Sequence, residues 1–150
     1  MVLAGELAAA PAFSVRLDST VVDAARVMRD KEVGDVVVVD DDGRIAGILT
    51  DRDIAVRVVA VRADPEHTPV EEVCTRNPQT IDGLAGAEAA EQLMRERLVH
   101  RLPVVDDEKR PLGIISLEDL AASGYIADHE LREVMRQIAR AYQLRSKSVP

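Results

Sequence analysis

Moved along itself by 66 positions, the chain meets itself without a gap from about Ala4 to Arg57. Glu6 falls on Glu72, Ala24 on Ala90, Met28-Arg29 on Met94-Arg95, and Val33 on Val99. Val38-Val39-Asp40-Asp41 falls on Val104-Val105-Asp106-Asp107, Arg44 on Arg110, Gly47-Ile48 on Gly113-Ile114, Asp53 on Asp119, and Ala55 on Ala121. A unit used twice must form the same elements in the same order twice, which removes most folds open to 150 residues. It also gives every local motif a twin. The stretch GILTDRDI (47–54) recurs as GIISLEDL (113–120), so its pattern belongs to the unit and is not an accident of one loop.

Each unit begins with a short extended piece, Ser14–Leu17 and Gln79–Ile81. A helix follows. Thr20-Val21-Val22-Asp23 is a capping box, and Val21, Ala24, Val27 and Met28 share one face. The twin face is Ala87, Ala90, Leu93 and Met94, behind the weaker cap Gly86. Val36–Val39 and Leu102–Val105 are short, apolar and mostly β-branched, as strands covered on both faces are. Asp40–Arg44 and Asp106–Arg110 turn into second strands, Ile45–Leu49 and Leu112–Ile115. Thr50-x-x-Asp53 and Ser116-x-x-Asp119 then open a second helix. The order is β-α-β-β-α, twice, an α+β chain built of α/β-type repeats. The boundaries drawn on this pattern are 4–62 for the first repeat, 63–69 for a connector with Pro65 and Pro69, and 70–123 for the second repeat. Residues 124–150 form a C-terminal amphipathic helix and a polar tail, RSKSVP. Asp128 caps that helix, and Leu131, Val134, Met135, Ile138 and Tyr142 form its apolar face.

Composition limits function. The net charge of −8 argues against a nucleic-acid polymer or a membrane surface as partner, since both attract a basic field. No apolar run reaches the ~20 residues of a membrane-spanning helix. The N-terminus, mildly apolar but carrying Glu6 and lacking a basic start, makes a poor signal peptide. The single cysteine, Cys74, makes no internal disulfide and fits a reducing cytoplasm, where it reads as a small buried residue. No Ser-His-Asp or Cys-His set, metal-ligand cluster or Gly-rich phosphate loop is present. The three histidines, His67, His100 and His129, are scattered. The chain therefore reads as a non-enzyme with no catalytic residue, no metal and no required cofactor.

On the residues alone, the twin Thr/Ser-x-x-Asp motifs are compatible with two readings. As caps they contribute about 1 kcal/mol each. As a site they offer an ionised carboxylate, which accepts both hydroxyls of a ribose in charge-assisted bonds, next to helix N–H groups that suit a phosphate.

The pattern Gly-apolar-apolar-Thr/Ser-x-x-Asp, together with VHRLPVVDDEKRPLGIISLEDL and GDVVVVDDDGRIAGILTDRDI, resembles a tandem pair of CBS domains, the Bateman module. The resemblance covers about residues 4–123. The first copy departs from it, with Val37 where Pro is common and Asp35 where a small residue is usual. The resemblance implies two repeats packed with pseudo-twofold symmetry, and clefts between them that take adenosine-containing ligands. It implies that Asp53 and Asp119 meet the ribose hydroxyls and that Thr50 and Ser116 stand at the ribose or phosphate. It further implies that His100 and Arg101 face a phosphate, with Gly34 and Asp35 at the matching positions of the first copy. Beside a phosphate, Arg52 helps and Glu118, its twin, repels. The ligands implied are AMP, ADP or ATP, with S-adenosylmethionine or NAD as further candidates, and a homodimer is the assembly. The alternative is a ligand-free dimerisation or adaptor module acting through protein–protein contacts.

Overall fold

The computed structural model describes residues 1–147, with side chains through Leu144. The chain divides into two compact units that cut across the repeat. One contains residues 11–79 and 105–111; the other contains, among the described residues, 1–10, 80–104 and 112–147. Each repeat thus sends its leading segment to the unit formed by the other. The architecture is mixed α and β, with two sheets and the β-α-β-β-α order in both copies.

The first unit is a four-stranded sheet in the order β1 (Ser14–Arg16), β2 (Asp35–Val39), β3 (Ile45–Thr50), β4 (Thr75–Arg76). β1 runs parallel to β2, while β2–β3 and β3–β4 are antiparallel. Helix α2 (Val21–Lys31) crosses between β1 and β2, and its Thr20 cap forms the expected box with Asp23. Val21, Ala24 and Met28 pack on Val36, Val38 and Leu49 of the sheet. Strand alternation accounts for the other face, to which Val37 and its partner Ile48 point. The connector closes this unit: Thr68 and Pro65 carbonyls accept from Val21 and Val22, the first amides of α2. β4 was not expected from the sequence.

The second helix of the first copy is not a regular α-helix. α3 (Asp51–Ile54) is one turn long and continues as a π-helical turn, Ala55–Val59, where the Ala60 N–H reaches the Ala55 carbonyl at 2.9 Å.

The other unit holds a three-stranded sheet, β5 (Ile81–Asp82), β6 (Arg101–Val105), β7 (Pro111–Ser116), with α4 (Ala87–Arg97) and α5 (Leu117–Ala122). α1 (Ala4–Leu7) joins it through Ala4 N–H to Ala85 O, and Ala9 bridges Ile114. Its core gathers Met94, Leu102, Val104, Ile115, Leu117 and Leu120. α6 (Asp128–Lys147) adds Val134 and Ile138 to that core. Two expectations about α6 need correction. Its cap position is Ala127, whose N–H goes to Glu130 Oε2 at 3.1 Å, and Asp128 is the first helical residue. The face expected to be apolar is buried only in part, since Met135 and Tyr142 are exposed. The helix runs through Lys147, into the polar tail, and the rest of that tail lies outside the described residues.

Candidate functional site

Thr50 ends β3 in extended backbone (φ −110°, ψ 161°), which aims its side chain over the first turn of α3. The Asp53 N–H donates to Thr50 Oγ1 at 3.1 Å, and the Thr50 N–H donates to Asp53 Oδ2 at 2.9 Å. Gly34 and Asp35 come to the same place. Asp35 is the register partner of Thr50, and the Asp51 N–H donates to the Gly34 carbonyl at 2.9 Å. Gly34 fits closely there, since a Cβ would stand 3.2 Å from Asp51 Oδ2. Arg52 occupies the turn between the two aspartates.

The second copy repeats this within its own unit. The Asp119 N–H donates to Ser116 Oγ at 3.1 Å, and the Ser116 N–H donates to Asp119 Oδ2 at 2.8 Å. The Ser116 hydroxyl also donates to Asp119 Oδ2, at 2.7 Å. The Leu117 N–H donates to the His100 carbonyl at 3.0 Å, which sets His100 and the first residue of β6, Arg101, beside the motif.

All nine residues singled out in the sequence therefore fall into two groups of like geometry: Gly34, Asp35, Thr50, Arg52 and Asp53 in one unit, and His100, Arg101, Ser116 and Asp119 in the other. In each group the carboxylate is ordered by the cap it completes. An ionised carboxylate has about four lone-pair positions, so the cap bonds leave acceptor capacity on the aspartate. Among the described residues no group of three or more His, Cys, Asp or Glu side chains is placed to hold a metal ion.

One residue at the first site was not anticipated. Arg57 lies one turn beyond Asp53, with Nε 3.8 Å from Asp53 Oδ1 and Nη1 donating to the Val73 carbonyl at 3.0 Å. The i,i+4 spacing of Asp53 and Arg57 was its only sequence signal. Cys74, next to Val73, is buried. Burial pushes its thiol up; Arg76 and Arg57 draw it down, and Asp53 raises it, so these charges act on one small region.

Comparison with known proteins identifies the family and the fold. The family model described as "CBS domain" matches twice, over residues 4–60 and 70–124. The CBS domain-containing protein CBSCBSPB2 of Arabidopsis thaliana is 37% identical over 128 residues; these are 84% of this chain and 23% of that protein. The chain thus spans about a quarter of that relative. The CBS domain-containing protein YhcV of Bacillus subtilis is 38% identical over 110 residues, 73% of this chain and 76% of the relative. Among solved structures, Hypoxic Response Protein I, crystallised with two coordinated zinc ions, superposes with a TM-score of 0.72 at 30% identity, covering 81% of this chain and 98% of that one. The CBS domain pair of protein MJ0100, in complex with 5-methylthioadenosine and S-adenosyl-L-methionine, gives 0.71 at 25% identity, covering 82% and 95%. No helix among the described residues is long and apolar enough to cross a membrane.

Proposed function

The chain belongs to the CBS domain family, and from that premise we propose that it is a non-enzymatic, cytoplasmic regulatory module that binds an adenosine-containing nucleotide of the AMP, ADP or ATP type. Asp53 and Asp119 accept ribose hydroxyls, and Thr50 and Ser116 stand at the ribose or phosphate. Arg52, with Gly34 and Asp35 beside it, shapes one site; His100 and Arg101 shape the other. The observation that carries this reading is the reciprocal bonding of Thr50 with Asp53 and of Ser116 with Asp119. The same ordered carboxylate occurs in both units, with lone pairs remaining beyond the cap. The adenosine compounds held by MJ0100 add support.

The test is a calorimetric panel of AMP, ADP, ATP, NAD and S-adenosylmethionine on the whole chain. Saturable binding of at least one, weakened by Asp53→Ala or Asp119→Ala, is the expected result. Absence of binding by every compound at millimolar concentration overturns the proposal.

A second reading, a ligand-free dimerisation or adaptor module, is favoured by a different observation. Val56, Val59 and Val61 are exposed together on and just after the π-helical turn. A homodimer is common to both readings. Sedimentation of Val59→Asp separates them: a dimer abolished with nucleotide binding intact assigns these valines to assembly and the aspartates to the ligand.

A further inference from the structure

The two sites differ most in the turn that follows the aspartate. Residues 50–57 carry Asp51 and Asp53 against Arg52 and Arg57, whereas residues 116–123 carry Glu118 and Asp119 and no cation. The twin of Arg57 is Ser123, whose hydroxyl turns back to the Asp119 carbonyl at 2.9 Å. The backbone diverges at the same place, π-helical over Ala55–Val59 in the first copy and α-helical to Ala122 in the second. In the other unit the cations stand ahead of β6, as His100 and Arg101, where the first unit has Gly34 and Asp35. The sites thus differ in where positive charge sits.

Arg57 is held from two sides. Its Nε lies 3.8 Å from Asp53 Oδ1, and its Nη1 donates to the Val73 carbonyl at 3.0 Å. The Asp53 side chain is only 15% exposed and that of Arg57 50%, so the guanidinium is the more accessible partner of the pair. A ligand whose ribose engages Asp53 brings any 5′-phosphate within one sugar of that carboxylate. Two like charges at that range repel unless a cation lies close. A guanidinium is suited to the place, being planar, always charged and weakly hydrated.

We infer that Arg57 is a positioning and specificity-determining residue of the Asp53 site, orienting the carboxylate and offsetting its charge so that the site prefers a phosphate-bearing adenosine ligand to adenosine itself. The inference rests on the nucleotide-binding function proposed above. The Arg57 charge can be removed without removing the cap, which is made by Thr50 and Asp53.

The experiment is isothermal calorimetry of AMP and of adenosine on the whole chain, in an Asp119→Asn background so that the Asp53 site reports. Arg57→Gln keeps a donor for the Val73 carbonyl without the charge; Arg57→Lys keeps the charge. Circular dichroism establishes that each variant is folded. The expected result is a fall of about tenfold or more in AMP affinity for Arg57→Gln, with adenosine changed by less than about threefold, and most of the AMP affinity retained in Arg57→Lys. Equal losses for both compounds, or no loss for AMP, overturn the role of Arg57 and leave the nucleotide reading standing. A parent chain that binds neither AMP nor adenosine overturns this inference, while the nucleotide reading falls only if every compound of the panel above also fails to bind.

Discussion

Ser116 donates twice to a single oxygen of Asp119, through its N–H at 2.8 Å and its hydroxyl at 2.7 Å, while Thr50 gives Asp53 only its N–H, at 2.9 Å. The two caps are alike in backbone and unlike in how firmly the carboxylate is tied. Ser116 is also nearly buried. Ser116→Ala therefore removes both the hydroxyl donor to Asp119 and the acceptor of the Asp119 N–H. Thr50→Ala removes only an acceptor. Each substitution is expected to cost about 1 kcal/mol of stability, with Ser116→Ala the larger, toward about 2. Urea unfolding of the two single variants measures this. Thr50→Ala as the more costly change would contradict the difference in bonding.

The matched glycines Gly47 and Gly113 each lie under a leading segment of the chain. A Cβ at Gly47 would stand 2.8 Å from the Thr75 carbonyl oxygen and 2.9 Å from Cys74 Sγ. At Gly113 it would stand 2.6 Å from the Ala9 carbonyl oxygen and 3.1 Å from Ala8 Cβ. The neighbours are backbone and small side chains with little room to yield. Gly47→Ala and Gly113→Ala are each expected to destabilise by about 1–3 kcal/mol, Gly113→Ala more, by forcing the leading segment off the sheet. Chemical denaturation gives the ranking. A neutral Gly113→Ala would mean that residues 1–10 do not rest there.

Much of this fold is legible in the sequence because the pattern is stated twice. The Val36–Val39 run, the Thr20 capping box and the Thr/Ser-x-x-Asp starts each announce themselves by local chemistry. What escaped was set at a distance. Thr75-Arg76 becomes β4 because the returning chain passes the open edge of β3, and two polar residues give no periodic sign of that. The same holds for residues 1–10. The period of α6 gave its stripe, but a stripe does not say how much of it is covered: Val134 is buried, and Met135, its neighbour, is exposed. At the candidate site, the carboxylates and their caps were readable as motifs. Arg57 was not, because an acid–base pair four apart is common on any helix surface.

The connector carries a charge pair with a definite pH window. His67 Nδ1 and Asp64 Oδ2 are 2.7 Å apart on an exposed turn, where the Glu66 N–H also bonds Asp64 Oδ1. The hydrogen bond to Asp64 raises the His67 imidazole above its usual range; the bond from His67, with the Glu66 N–H, lowers the Asp64 carboxyl. The raised histidine contributes stability that is full below about pH 6.5 and is lost as pH rises through its folded value. The lowered aspartate contributes stability that is full above about pH 4 and is lost as pH falls through its folded value. The pair is therefore strongest between about pH 4 and 6.5. An NMR titration of the His67 ring checks it: Asp64→Asn should move the midpoint down toward the ordinary value, and an unmoved midpoint would show that the pair does not form in solution.

α6 belongs to the core of its unit rather than lying on its surface. Val134 is fully buried, Ile138 and Ile126 nearly so, and all three join Leu117, Leu120 and Met94 in one cluster. Leu117 and Leu120 flank Asp119 on α5, so the packing of α6 reaches the backbone that carries the candidate site. Ile138→Ala is expected to cost about 2–5 kcal/mol through lost burial and the cavity left behind. Met135→Ala, on the exposed side of the same helix, should stay within about 0.5 kcal/mol. A chain ending at Ser123 loses Ile126, Val134 and Ile138 together and uncovers the outer side of α5. It should melt well below the full chain and lose any ligand affinity that depends on Asp119 before that which depends on Asp53. Thermal melts followed by circular dichroism, with and without the best-bound nucleotide, check both parts. A truncated chain as stable as the parent would place α6 outside the core.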